Sequence, residues 1–75
     1  MQTKFTRHQK VRLLIAPNPE YTEFYSESEI PIKKGALGEI NLVMQNGSYH
    51  VRIYDEKTKE TIAYILIDED SLESI

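Results

Sequence analysis

Residues 35–55, GALGEINLVMQNGSYHVRIYD, decide the fold. Asn46-Gly47 stands between two runs in which apolar and polar residues alternate. That dipeptide predicts a two-residue type I′ hairpin turn, because both of its central positions need positive φ. The strand before it is expected over roughly Leu37 to Gln45. Its apolar residues step by three from Leu37 to Ile40, then by two through Leu42 and Met44. Gly38 therefore reads as a bulge at which the strand changes face. Gly35 suits a tight turn with positive φ. The strand after the turn places Tyr49, Val51 and Ile53 on one face and His50, Arg52 and Tyr54 on the other.

Working outward, KVRLLIA (residues 10–16) has the period of a half-buried strand, with Val11, Leu13 and Ile15 inward. Pro17 and Pro19 end it, since neither has an N–H for a ladder. The following stretch to Gly35 reads as one long loop, too long for a simple connector. On the other side, EKTKE is a polar turn, and TIAYILI is a strand apolar on both faces. DEDSLESI opens as a tight or 3₁₀ turn and closes as a short strand near Leu72 to Ile75. No sustained helical period occurs. The expectation is an all-β chain: a five-stranded antiparallel barrel with a long first loop, closed so that few edges stay open. The expected core is Val11, Leu13, Ile15, Leu37, Ile40, Leu42, Val51, Ile53, Ile65, Ile67 and Leu72. Residues 1–9 read as a basic N-terminal segment and residues 10–75 as the barrel.

With 75 residues and no cysteine, the chain is one domain without disulfides or thiolate metal sites. A domain this small buries only roughly 60% of its unfolded surface, so its margin of stability is thin. The charged start MQTKFTRHQK is not a secretory leader, and the apolar runs are too short to span a bilayer, which implies a cytoplasmic protein. Net charge is −3, with cations gathered in the first twelve residues and acids in the last eight. The two ends are expected to pair across adjacent strands.

The order of these features resembles the small SH3-like barrels. Lys34, Gly35 and Gly38 are similar to the Lys-Gly-x-x-Gly turn of KOW-type domains in transcription and ribosomal proteins. The opening VR-hydrophobic strand and the tail residues Asp70, Leu72 and Glu73 resemble the small photosynthetic barrels, such as the one found in photosystem I. Gly35, Gly38, Ile40, Tyr49, Val51 and Asp55 resemble a group of short uncharacterised bacterial proteins with a KKGxxGxI pattern. The resemblance implies the fold and leaves function open, because this barrel carries many roles. The chain is more acidic than nucleic-acid-binding KOW domains and lacks the groove tryptophan of peptide-binding relatives.

Catalysis finds no support in the sequence. There is no cysteine, no serine elbow, and His8 and His50 stand far apart. The histidines make no zinc signature, and DEDSLE lacks the glycine and ligand spacing of a calcium loop, so neither metal nor cofactor is expected. The long loop supplies the binding candidates. Tyr21, Phe24 and Tyr25 are expected to meet Tyr54 and Tyr64 and form a protein-binding surface, rimmed by Glu20, Glu23, Glu27 and Glu29. The competing reading makes Phe24 a plug in the barrel mouth with the tyrosines as its shield. The first function class is thus a non-catalytic protein-interaction module or accessory subunit. The alternative is a nucleic-acid or ribosome-associated module using Lys4, Arg7, Lys10, Arg12, Lys33 and Lys34, which the acidic balance opposes. A third is a self-associating barrel, monomer or weak dimer, paired through Ile62 and Leu66.

Overall fold

A computed structural model describes residues 4–25 and 31–75. Six strands make one antiparallel sheet: β1 (Lys10–Leu13), β2 (Thr22–Phe24), β3 (Leu37–Val43), β4 (Ser48–Tyr54), β5 (Thr61–Asp68) and β6 (Leu72–Ser74). They lie in the order β2-β5-β4-β3-β1-β6. Two three-residue 3₁₀ turns, Pro19–Tyr21 and Glu69–Ser71, complete the regular structure among the described residues. The chain is all-β. No helix among the described residues is long and apolar enough to cross a membrane.

The expected five-stranded closed barrel is corrected to six strands in one sheet that ends at β2 and β6. The additional strand, β2, comes from the middle of the supposed loop. Thr22, Glu23 and Phe24 pair with Ile65, Tyr64 and Ala63. A single sheet with no second layer still hides Val11, Ile40 and Val51 completely. It does so by curling over its own inner face. Phe5 completes that interior. It comes from the segment read as a basic lead-in, is 1% exposed, and meets the Tyr49 ring edge-on at 5.5 Å. The Phe5 N–H donates to the Tyr49 hydroxyl at 3.2 Å, and the His8 N–H donates to the Ile40 carbonyl at 2.7 Å.

Eight of the expected core residues are buried: Val11, Leu13, Ile40, Val51, Ile53, Ile65, Ile67 and Leu72. Three are not, each for a local reason. The β3–β4 register slips between Ile40 and Leu42, so the bulge is at Asn41 rather than Gly38. The extra residue turns Leu42 outward, where it opposes His50. Leu37 opposes Arg12 on the outer face and is only half-buried. Ile15 lies beyond the last residue of β1 and is exposed.

Gly38 is regular strand, and its role is close packing. A Cβ there would lie 2.6 Å from Val51 Cγ1. Gly47 has φ +83° as expected, but Asn46 is not in the positive-φ region, so the turn is not type I′. The Met44 N–H donates to the Ser48 carbonyl at 3.0 Å, as in a longer loop with one left-handed residue after a type I turn.

Two substitutions test this packing. Gly38→Ala is expected to lower stability by roughly 1–3 kcal/mol through overpacking against Val51. Phe5→Ala is expected to cost about 3 kcal/mol or more, a large share of what a domain of this size has. Urea melts of both variants measure this. An unchanged midpoint for Phe5→Ala places the N-terminal segment outside the cooperative unit.

Candidate functional site

A cleft of about 460 Å³ lies between three segments. These are the turn after β1, the β3–β4 hairpin and the C-terminal end of β5. Its walls include Ile15, Pro17, Tyr21, Met44, Leu66 and Asp68. Asn18 builds the first wall. Its side-chain oxygen accepts from the Glu20 N–H at 3.0 Å, and its carbonyl accepts from the Tyr21 N–H at 3.0 Å and the Thr22 hydroxyl at 2.9 Å. These bonds fix the 3₁₀ turn that holds Tyr21 over the cleft. The hairpin forms the second wall, braced by the Ser48 N–H on the Asn46 side chain and by the Glu69 N–H on the Gly47 carbonyl. Ile15 and Tyr21 are 51% and 56% exposed, and Met44 and Leu66 also face solvent. Four apolar groups that fold toward one hollow and stay wet are available to a ligand.

The five aromatic anchors named from sequence do not form one surface. Tyr21 lies in this cleft. Tyr25 is 70% exposed and shares a different hollow with Tyr64, walled also by Asp55, Lys59 and Glu60. Phe24 is half-buried and opposes Ala63 in the β2–β5 register. Tyr54 is on the outer side but only 4% exposed. Lys10 Nζ, the Arg52 guanidinium and Lys59 Nζ stand 5.1, 5.1 and 5.7 Å from its ring centre, and they cover it. Tyr64 stacks on His50, with ring centres 5.2 Å apart. Glu20 and Glu23 are exposed, while Glu27 and Glu29 lie outside the described residues. Sequence reasoning missed Ile15, Met44 and Leu66 as cleft walls. The available signal was Leu66, an outward apolar residue in a strand apolar on both faces.

The cations are dispersed over several environments. Lys4 Nζ stands 5.5 Å from the Phe5 ring centre. Arg7 is exposed. Arg12 pairs with Glu73 of β6 at 3.4 Å, so the two ends of the chain do meet across neighbouring strands. Lys33 and Lys34 border a hollow that also contains Asp55 and Glu56. Lys10 opposes Glu39 in the β1–β3 register, and Glu39 opposes Arg52 in the next. Arg52 Nη2 donates to Glu39 Oε1 at 3.0 Å, Arg52 Nη1 donates to the Thr61 hydroxyl at 3.0 Å, and His8 Nδ1 lies 3.4 Å from Glu39 Oε2. The Arg52 hydrogen bond is the main reason the Glu39 carboxyl titrates below its ordinary range, with the Arg52 charge, His8 and Lys10 adding to it against partial burial. Asp55 is lowered by the Thr58 and Lys57 N–H groups that cap it at 2.9 and 2.8 Å. These are charges satisfied within the fold. No group of three His, Asp or Glu side chains is placed to hold a metal ion among the described residues.

No family model, curated protein or solved structure matches the chain.

Glu39 gives a pH prediction. Its folded pKa lies below its unfolded value, so the charged pair stabilises the fold above the unfolded value and loses that contribution as pH falls through the folded pKa. Urea midpoints taken downward from pH 7 are expected to decline in that acid window, and Glu39→Gln is expected to flatten the decline. Identical slopes for wild type and variant show that other carboxylates carry the acid sensitivity.

Proposed function

We propose that this chain is a small non-catalytic protein-interaction module on an SH3-like plan, with the cleft between Tyr21, Met44 and Leu66 as its docking surface. The plan is supported by the run β6-β1-β3-β4-β5 within one curled sheet, the long first connection, and the 3₁₀ turn before the last strand. The observation that carries the function is the wall of the cleft. It gathers exposed Ile15, Tyr21, Met44 and Leu66 around one hollow. Its volume falls at the lower end of the ~300–1,000 Å³ usual for ligand sites. Monomeric domains seldom leave such groups converging on water without a partner. Tyrosine suits the role, since it loses little side-chain freedom and offers an apolar body with a polar tip.

The nucleic-acid reading loses support. Lys10 and Arg12 face Glu39 and Glu73 within the sheet, and the charged residue in the cleft wall, Asp68, has the wrong sign for phosphate.

The test begins with peptides selected from a random display library against the wild-type chain. Tyr21→Ala and Met44→Ala are each expected to weaken the selected peptides by about tenfold or more, as loss of a contact-centre side chain does. Each is expected to cost under about 1 kcal/mol of fold stability, since both side chains are surface-exposed. Tyr25→Ala is expected to leave binding unchanged. Binding that depends on Tyr25 and not on Tyr21 moves the site to the Tyr25–Tyr64 hollow and overturns this assignment.

A further inference from the structure

The hairpin that forms one wall of the cleft carries a reactive dipeptide. The chain has three asparagines, which differ in the residue that follows and in what holds the amide. Asn18 precedes Pro19, whose ring nitrogen has no proton to give up. Asn41 precedes Leu42 within β3, and its Nδ2 lies 2.8 Å from His50 Nδ1. Asn46 precedes Gly47, both residues are exposed, and Asn46 lines the cleft. Asparagine is heat-labile. The main-chain nitrogen of the next residue attacks the side-chain amide carbon and closes a five-membered imide. Glycine hinders that closure least, because it has no Cβ.

Three features of the hairpin favour the closure. The nucleophile is uncommitted: the Gly47 N–H has no hydrogen-bond acceptor among the described residues. The electrophile is held: Asn46 Oδ1 accepts from the Ser48 N–H at 3.3 Å. That donor faces the oxygen on which negative charge develops as the amide carbon becomes tetrahedral. The leaving group is free: Asn46 Nδ2 makes no hydrogen bond among the described residues. Both residues also lie in the turn between Val43, where β3 ends, and Ser48, where β4 begins. Local opening of a turn costs little free energy compared with opening a strand pair.

We propose that Asn46-Gly47 is a modification site at which the folded chain loses ammonia without an enzyme, and that the product adds a negative charge to the cleft wall. The Gly47 nitrogen gives its proton to hydroxide and forms a bond to Asn46 Cγ. The bond from Cγ to Nδ2 then breaks, and that nitrogen leaves as ammonia with a proton from water. A second water opens the imide. Attack at Cγ leaves aspartate. Attack at the main-chain carbonyl leaves isoaspartate, whose main chain runs through Cβ and Cγ and is one atom longer. The new carboxylate arrives in a wall that already contains Asp68, beside Glu69, whose N–H donates to the Gly47 carbonyl at 3.1 Å. A basic ligand gains from that charge and an acidic one loses. Isoaspartate also strains the loop that the Met44 N–H closes on the Ser48 carbonyl at 3.0 Å, so the hairpin wall shifts against the Tyr21 wall. The amide loss is independent of the cleft being the docking surface, whereas its effect on a ligand rests on that reading.

The experiment incubates the full chain at neutral and mildly alkaline pH and follows each asparagine by fragment mass, beside a capped peptide with the sequence of residues 44–49. The mass gain of amide-to-acid exchange is expected at Asn46 and at neither Asn18 nor Asn41, with a rate that rises in proportion to hydroxide. In the folded chain that rate is expected to lie within about tenfold of the peptide's, because the turn opens locally. If the folded chain keeps the Asn46 amide while the peptide loses it, the hairpin protects the site and the proposal is wrong. Loss at Asn41 as fast as at Asn46 also overturns it, since the reaction then follows global unfolding. The aged isoaspartate chain is expected to show shifted ¹⁵N signals at Met44 and Ser48 and unchanged ones at Val11 and Ile53. Unchanged Met44 and Ser48 signals overturn the movement of the wall. Charge is read separately with Asn46→Asp, which lacks the additional main-chain atom. It is expected to bind a lysine-extended form of a display-selected peptide several-fold more tightly than wild type does, and a glutamate-extended form more weakly. Equal affinities in the two chains overturn the charge effect. If Tyr21→Ala and Met44→Ala also leave those peptides bound, the failure belongs to the docking surface, and the mass data alone decide the modification.

Discussion

The contact between Phe5 and Tyr49 holds the rest of the molecule in place. A lone sheet cannot bury its inner face unless it curls, and a curled sheet with two unpaired edge strands leaves a gap. Phe5 fills the interior from outside the sheet. Its ring meets Tyr49 edge-on, and its N–H satisfies the one polar atom that a buried tyrosine brings with it. The arrangement matters more here than in a larger domain, because a chain this short has no disulfide and little other apolar surface to hide.

From that interior the outer face follows as a separate problem. β1, β3, β4, β5 and β2 place Lys10, Glu39, Arg52, Tyr64 and Glu23 in successive register positions across the sheet. Within that row Arg52 pairs with Glu39, and the Tyr64 ring stacks on His50 beside it. The Tyr54 ring is covered by the same cations. One part of the outer surface is thus closed by its own charges. The other end, where the bulge at Asn41 turns Leu42 outward and the Asn18 turn lifts Tyr21 off the sheet, remains apolar and open. The division between closed and open surface is what singles out the cleft.

Strands with period-two patterns were legible in the sequence because one face is buried. Val11, Leu13, Val51, Ile53, Ile65 and Ile67 are inward for that reason alone. Gly47 and Gly35 were legible because positive φ is a local demand. The bulge was not. Gly38 and Asn41 are equivalent local candidates, and only the presence of Val51 across the sheet makes Gly38 a packing residue and Asn41 the insertion. β2 was hidden because its three residues carry no alternation that a reader can separate from loop. Phe5 was hidden because a single aromatic among charges has no period. The binding candidates failed in the same way. Composition located aromatics in the first loop, but whether Tyr21, Phe24 and Tyr25 share a surface depends on β2, which sets Tyr21 and Tyr25 beyond its opposite ends and pairs Phe24 with Ala63. Leu66 and Met44 acquire meaning only from the hairpin and the turn that face them.

The pairing of β1 with β6 has a kinetic consequence. Arg12 opposes Glu73, and Leu13 opposes Leu72, so the sheet's final ladder joins segments some sixty residues apart in the chain. Contacts that distant must meet the entropy of closing the intervening loop before they return any stability, and folding through them is slow. During synthesis, β1 and Phe5 emerge first and wait with their apolar faces uncovered until residues 72–74 have been made. A newborn chain of this design therefore passes through an interval in which β1 is present without β6, the neighbour on its outer side. How briefly that interval lasts governs the yield of soluble protein in a cell.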